Sequence, residues 1–379
     1  MNPFLYLLII AYPGICCIIN LHSMFENRCR TVYTVFRHIA SVIPWPIKQK
    51  LSSVKLKRPY MKRSPMKYYL APMEGITTYI YRNAYQKHFG GIDKYFTPFI
   101  ASKKMNRREI NEILPEHNQT LSVVPQILTN RADEFLQITK QIAEYGYKSV
   151  NLNLGCPSGT VTARKRGAGF LSVPDELDHF LYEIFEKSPL KISIKTRIGV
   201  ESLDEWADIL EIYKKYPLEE LIIHPRLQKE FYKYTPHQEA FFTAVNTLTD
   251  IPLCYNGDIA TVQDYDGLLC RIPQTSCIMA GRGILKNPAL VLQLKHTDTA
   301  EFFTKENLKN FHDEIFENYA SIMDGERPVL FKMKDLWTYM VTCFEKPEKH
   351  LKKIRKAAGF TEYKAAVNLM FLECALVTL

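Results

Sequence analysis

Cys156 stands in the stretch Asn151-Leu152-Asn153-Leu154-Gly155-Cys156-Pro157, directly after a short apolar run. Glycine before it and proline after it place the thiol on a loop, whereas a lone cysteine usually serves as a small buried hydrophobe. A protonated thiol on a loop is a general acid. Other strand-length runs end in comparable residues: Ala71-Pro72-Met73-Glu74-Gly75, Pro125-Gln126, Lys195-Thr196-Arg197, His224-Pro225-Arg226, Asn256-Gly257-Asp258 and Gly281-Arg282-Gly283. Polar side chains, fixed cations and glycines gathered in this way suit a phosphorylated, redox-active cofactor. Taken singly each is an ordinary turn; their joint occurrence points to a site.

The elements that must position these residues follow from periodicity. From residue 67 onward, apolar runs of strand length alternate with amphipathic stretches of helix length. Eight runs are present: Tyr68 to Ala71, Lys94 to Phe99, Leu121 to Ile127, Ser149 to Leu154, Lys191 to Lys195, Glu220 to His224, Pro252 to Tyr255 and Ser276 to Ala280. Between them, Phe135, Ile138, Ile142 and Tyr145 share a helical face, as do Leu177, Phe180, Leu181 and Ile184. Ser202 and Glu205 have the spacing of a capping box ahead of a helix burying Trp206, Ile209, Leu210 and Tyr213. Eight strand–helix units predict an α/β fold, a (β/α)8 TIM barrel over residues 67–295, with a doubly wound sheet as the alternative. In such a barrel the site lies at the C-terminal ends of the strands, and the loops after strands seven and eight commonly hold a phosphate. Gly257 and Gly281 would let backbone approach it, and Arg282 would add a bidentate contact. After residue 296 strand signals stop, and stretches such as Leu308 to Tyr319 and Leu330 to Phe344 predict a small all-α domain over 296–379.

Composition narrows the class. The chain has 379 residues, 46% hydrophobic and 23% charged, and a net charge of +9. Ten of its 49 bases and one of its 40 acids lie in residues 1–66, leaving 39 of each, so the body is neutral and bulk charge says nothing of nucleic acid. Residues 1–66 read as an N-terminal extension outside the fold, an upstream segment ahead of Met66. Their apolar stretch from Phe4 to Ile19 is broken by Pro13-Gly14 and is a poor match to a signal peptide or membrane anchor, so no membrane association is expected. Nine cysteines without paired short spacings suggest neither a disulfide framework nor a metal site, and fit a reducing, cytoplasmic setting. Cys254, Cys270 and Cys277 read as buried structural cysteines. A monomer is expected.

On Asn151 to Pro157, the Ala71-Pro72-Met73 start, the lone Lys195, the His224-x-Arg226 pair and Asn256-Gly257-Asp258, residues 67 to about 295 resemble the catalytic barrel of the tRNA-dihydrouridine synthases. The helices that follow resemble that family's RNA-binding domain. The resemblance implies FMN as cofactor, NADPH (or NADH) as transient reductant and tRNA as substrate. No Gly-x-Gly-x-x-Gly fingerprint is present for a resident dinucleotide. It implies that Pro72, Met73 and Glu74 line the flavin, that Gln126 bonds its polar edge, and that Lys195 lies beside its N1–C2 region, where a cation favours the reduced form. His224, Asn256, Gly257, Asp258, Gly281 and Arg282 would hold the ribityl phosphate; Asn153, Arg197 and Arg226 would meet the substrate.

Saturating the C5–C6 bond of uracil needs a hydride at one carbon and a proton at the other. A cysteine ordinarily titrates at about 8.5, so Cys156 would carry that proton near neutrality. The loop Ser158 to Gly169 combines Arg164, Lys165 and Arg166 with glycines and reads either as a basic lid or as a solvated loop. Lys346, Lys349, Lys352, Lys353, Arg355 and Lys356 cluster in the tail, as an RNA contact or a solvated face. One departure stands out: many family members carry a second arginine where this chain has Gln228. The competing readings are another FMN-dependent barrel reductase, such as a dihydroorotate dehydrogenase, and a non-catalytic RNA-binding protein. A separate basic helical domain argues against the first, and Cys156, Lys195 and His224 together argue against the second.

Overall fold

The computed structural model describes residues 65–378 together with two short strands, Leu7–Tyr12 and Ile15–Asn20. These two pair antiparallel from Leu7↔Asn20 to Tyr12↔Ile15. The rest of residues 1–64, and with it most of the expected N-terminal extension, lies outside the described residues. Among the described residues no helix is long and apolar enough to cross a membrane.

All eight predicted strands form. They are β1 (Lys67–Leu70), β2 (Lys94–Phe96), β3 in two halves (Val123–Val124 and Gln126–Ile127), β4 (Ser149–Leu154), β5 (Lys191–Thr196), β6 (Leu221–Ile223), β7 (Leu253–Tyr255) and β8 (Cys277–Ala280). Every pairing is parallel, and β8 joins β1 through Cys277↔Lys67 to Ala280↔Leu70. Pro125 has no N–H for the ladder, so β3 breaks there. Its first half pairs with β2 (Tyr95↔Val123) and its second with β4 (Gln126↔Asn151), closing the barrel. The barrel, rather than the doubly wound sheet, is the fold. Its lower interior holds Tyr69, Phe96, Val124, Ile222, Cys254, Cys277 and Met279, with the Tyr69 hydroxyl donating to Glu220 at 2.7 Å and Lys94 pairing with the same carboxylate at 3.2 Å.

Seven helices of at least seven residues surround the strands or follow them as expected: α1 (Tyr79–His88), α2 (Arg107–Ile113), α3 (Ala132–Glu144), α5 (Pro174–Lys187), α6 (Glu205–Tyr213), α7 (Gln238–Thr247) and α8 (Val262–Arg271). Three short ones are α4 (Gly159–Thr162), α9 (Arg282–Lys286) and α10 (Leu290–Leu294). The predicted apolar faces of α3, α5 and α6 are buried, with Tyr145 half-buried just past α3. At α6 the capping box is only half made. Glu205 reaches back to the Ser202 amide at 2.7 Å, but the Ser202 hydroxyl accepts from Asp204, so the helix starts at Glu205 itself. Cys254 and Cys277 are buried as expected, whereas Cys270 is exposed, two positions beyond the buried Leu268 and so on the far face of α8.

The tail forms α11 (Lys305–Ile322), α12 (Glu326–Met340), α13 (Glu348–Lys356) and α14 (Phe360–Glu373). Their core is aromatic: His312, Trp337 and Tyr363 are buried, and the Tyr363 hydroxyl joins the other two at 2.7 and 2.8 Å. The described residues of Ser64–Leu379 form one compact unit, so barrel and helices share a core. Phe311 of α11 meets Tyr81 of α1 and Phe89 just past its end edge-on at 5.6 and 5.3 Å, and the Tyr319 hydroxyl bonds Thr78 at 2.7 Å. Because Phe311 serves both regions, Phe311→Ala is expected to lower stability by about 3–5 kcal/mol in denaturant unfolding and to weaken barrel and tail together.

Candidate active site

At the C-terminal ends of the strands a cavity of about 370 Å³ opens, lined from β1 by Pro72 and Met73, from β5 by Lys195 and from β6 by His224. Asn256, Gly257 and Asp258 after β7 and Gly281 and Arg282 after β8 complete the wall, together with Tyr232 and Lys286. Parallel strands in a closed barrel bring residues more than 200 positions apart to this one rim. The wall depends on close backbone approach: a Cβ on Gly257 would lie 2.2 Å from the Tyr255 hydroxyl, and one on Gly281 would lie 3.1 Å from Ala71 Cβ. Asn256 does not face outward with its amide; it donates to Met279 O at 2.8 Å and ties β7 to β8.

Cations outnumber acids on the cavity wall, Lys195, Arg282 and Lys286 against Asp258 and Asp264. Burial, together with the charge of Arg197, lowers the Lys195 ammonium pKa to about 8, and among the described residues no hydrogen-bond or ion-pair partner meets it. Burial and the surrounding cations hold His224 well below its ordinary value, so it is neutral. Arg226 Nη1 lies 3.0 Å from His224 Nε2. A guanidinium can only donate, so Nε2 accepts and Nδ1 carries the proton. Asp258 is the acid bonded to the arginines: burial pushes its pKa up, but Arg226 and Arg282 outweigh that and hold it below the ordinary carboxylate value. Its carboxylate holds Arg282, 2.6 Å away, on the cavity wall that Lys286 also lines.

The remaining predicted residues lie beside the cavity rather than on its wall. Gln126 is buried; its amide nitrogen donates to Asn151 Oδ1 at 2.8 Å, and its oxygen accepts from Asn153 Nδ2 at 2.8 Å. Asn153 Oδ1 in turn accepts from the amides of Gly155 and Cys156 at 3.0 and 2.9 Å, which sets the position of the half-exposed Cys156. Gly167, at φ +56, packs against Cys156, where a Cβ would stand 3.0 Å from the cysteine Cβ. Arg197 and Arg226 are fully buried and bonded to backbone: Arg197 to Gly155 O, Leu227 O and Phe231 O at 2.7–3.0 Å, Arg226 to Tyr234 O and Asp258. Glu74 sits apart, paired with Arg108 at 3.1 Å in a smaller cavity shared with Lys332; burial pushes its pKa up. The Ser158 to Gly169 loop is pinned, with Arg166 on Glu134 at 2.9 Å and Lys165 on Glu176 at 3.1 Å.

Tyr232 and Lys286 were not singled out from the sequence. Tyr232 stacks near His224, with the Arg282 and Arg197 guanidinium groups 4.4 and 5.4 Å from its ring centre. Its signal was weak: an aromatic among lysines six residues past the strand-end His224-Pro225-Arg226.

A closed parallel barrel with a cationic, cofactor-sized cavity and a thiol loop at its rim is the architecture of a barrel oxidoreductase. The family model "Dihydrouridine synthase (Dus)" matches residues 69–373. This chain belongs to the dihydrouridine synthase family and is an oxidoreductase. It is 29% identical over 262 residues to a "Probable tRNA-dihydrouridine synthase" of Staphylococcus epidermidis, covering 66% of this chain and 78% of that protein. It is also 29% identical over 236 residues to the "tRNA-dihydrouridine(16) synthase" of Neisseria meningitidis, covering 60% and 70%. Among solved structures, morphinone reductase aligns with a TM-score of 0.44 at 9% identity over 62% of this chain and 88% of that one.

The depressed Lys195 pKa carries a sign. In the folded protein the ammonium loses its proton near pH 8, while in the unfolded chain it keeps it to about 10.5. The unfolded state therefore binds more protons between those values, and this group makes stability rise with pH there. Thermal unfolding of the ligand-free protein is expected to show that rise, and Lys195→Met is expected to remove it.

Proposed function

We propose that this enzyme reduces the C5–C6 double bond of uridines in tRNA to dihydrouridine, with FMN in the barrel cavity and NADPH (or NADH) as reductant. The observation that carries the reading is the half-buried, unpartnered Lys195 ammonium in a cavity that also presents Arg282 and Lys286. A cation partly withdrawn from water with no protein partner calls for an anionic ligand. One lone cation, together with Arg282, Lys286 and the glycines of the same wall, suits a ring that gains negative charge on reduction and a phosphate tail. The residues present therefore fit FMN. Pro72, Met73, Lys195 and His224 would hold the ring and ribityl side; Asn256, Gly257, Gly281, Arg282 and Lys286 would hold the phosphate end, with Asp258 fixing Arg282.

When bound, FMN supplies the hydride to one carbon of the uracil. The protein's own task is the proton at the other carbon, which Cys156 Sγ–H would deliver. Asn153 fixes the thiol's loop through two backbone amides, and Gln126, locked by Asn151, fixes Asn153. In this account Asn153 acts on the substrate through Cys156. Arg197 and Arg226 likewise shape the rim through backbone carbonyls. The exposed lysines and arginine of α13, Lys349, Lys352, Lys353, Arg355 and Lys356, would meet tRNA phosphates, with affinity falling steeply as salt rises.

The test is to purify the protein, record its visible spectrum, and assay dihydrouridine after incubation with NADPH and unmodified tRNA. A yellow protein that forms dihydrouridine is expected; a colourless one, or a yellow one inert on tRNA, overturns the reading. Cys156→Ala is expected to bind flavin and accept electrons from NADPH as before, while uridine reduction falls about 100-fold or more. Full turnover in that variant would remove Cys156 from the mechanism.

A further inference from the structure

Of the nine large hydrophobic side chains exposed among the described residues, three fall within four positions: Phe231, Tyr232 and Tyr234, at 44%, 48% and 61% exposure. The other six are scattered along the sequence, which is ordinary for a protein surface. The three-aromatic segment follows β6 and borders the cavity through Tyr232.

The segment is held in place from below. Buried Arg197 donates to Phe231 O at 2.8 Å, and buried Arg226 donates to Tyr234 O at 2.7 Å. Phe231 adopts φ +51 and ψ −100, a conformation that a bulky residue adopts only when its surroundings impose it. Two buried guanidinium groups thus fix a strained backbone whose aromatic side chains face solvent, as in a preorganised binding surface. Tyr232 is engaged with His224 and the arginines, whereas Phe231 and Tyr234 have no ring partner among the described residues. The charge around them is positive. Lys233 is exposed, Lys229 is exposed and pairs with Glu201 at 3.3 Å, and the segment's own acid, Glu230, is buried against His237 at 2.7 Å. Exposed aromatics amid positive charge suit unpaired nucleobases on a polyanionic backbone better than a protein surface.

We infer that Phe231 and Tyr234 form a stacking platform for unpaired bases of the tRNA adjoining the uridine to be reduced. The inference rests on the tRNA-reducing function proposed above.

The experiment compares Tyr234→Ala, Tyr234→Leu and Tyr234→Trp with the wild-type enzyme on an unmodified tRNA transcript, together with flavin reduction by NADPH in the absence of RNA. Loss of one base–aromatic stack is expected to raise KM for tRNA about tenfold in the Ala and Leu variants, with kcat and RNA-free flavin reduction within about twofold of wild type. The Trp variant should regain wild-type KM. Leucine keeps bulk without a π-face, so a Leu variant with wild-type KM overturns the inference, as does an unchanged KM in the Ala variant; the aromatics would then belong to a protein partner. A wild-type enzyme inert on tRNA instead overturns the function itself, and this inference with it.

Discussion

The closure of the barrel at Pro125 is the constraint from which the site follows. A parallel sheet closes only if its edges meet, and the third strand meets both neighbours by dividing at a residue that cannot donate to the ladder. The Thr97 hydroxyl takes up the Gln126 amide at 3.0 Å, and the Pro125 carbonyl accepts from Asn151 at 2.8 Å, so the break leaves these groups satisfied. Gln126, the first residue beyond the break, projects into the barrel and organises Asn151 and Asn153. The same residue that completes the sheet therefore stands one hydrogen bond from the asparagine that holds the Cys156 loop.

Charge at the upper end of the barrel is organised in two tiers. Arg197 is buried and spends its donors on carbonyl groups, and buried Arg226 divides its own between Tyr234 O, His224 and the Asp258 carboxylate, so both build the rim. Lys195, Arg282 and Lys286 face the cavity. Asp258 separates the tiers by bonding Arg226 on one side and Arg282 on the other. Burial, with the charges of Lys195 and the arginines, keeps His224 neutral, leaving one N–H on a ring that lines the cavity.

The helical region is continuous with this arrangement. Lys332 of α12 donates to Gly75 O at 2.9 Å, directly beyond the Pro72-Met73 wall, and Thr342 and Cys343 bond the carbonyl of the cavity-lining Lys286. Contacts made on the helices thus bear on two segments of the cavity wall through single hydrogen bonds. That coupling suits an enzyme in which a large substrate must be seated before a small centre acts.

Much of this was legible in the chain itself. Eight apolar runs at strand length, the amphipathic faces of α3, α5 and α6, and the strand-end residues of the cavity wall are local patterns, and burial follows local pattern when every strand is covered on both faces. The wall members Pro72, Met73, Lys195, His224, Asn256, Gly257, Asp258, Gly281 and Arg282 could be named because a barrel sends all strand ends to one rim. Where side chains point within that rim is another matter, since it depends on contacts between residues distant in sequence. Arg197 and Arg226 turn to carbonyls of the β6 segment, Glu74 turns to Arg108, Asn153 turns to its own loop, and Tyr232 enters the cavity from a stretch with no motif. Those choices were settled by three-dimensional competition for hydrogen bonds and charge, which no spacing along the chain encodes.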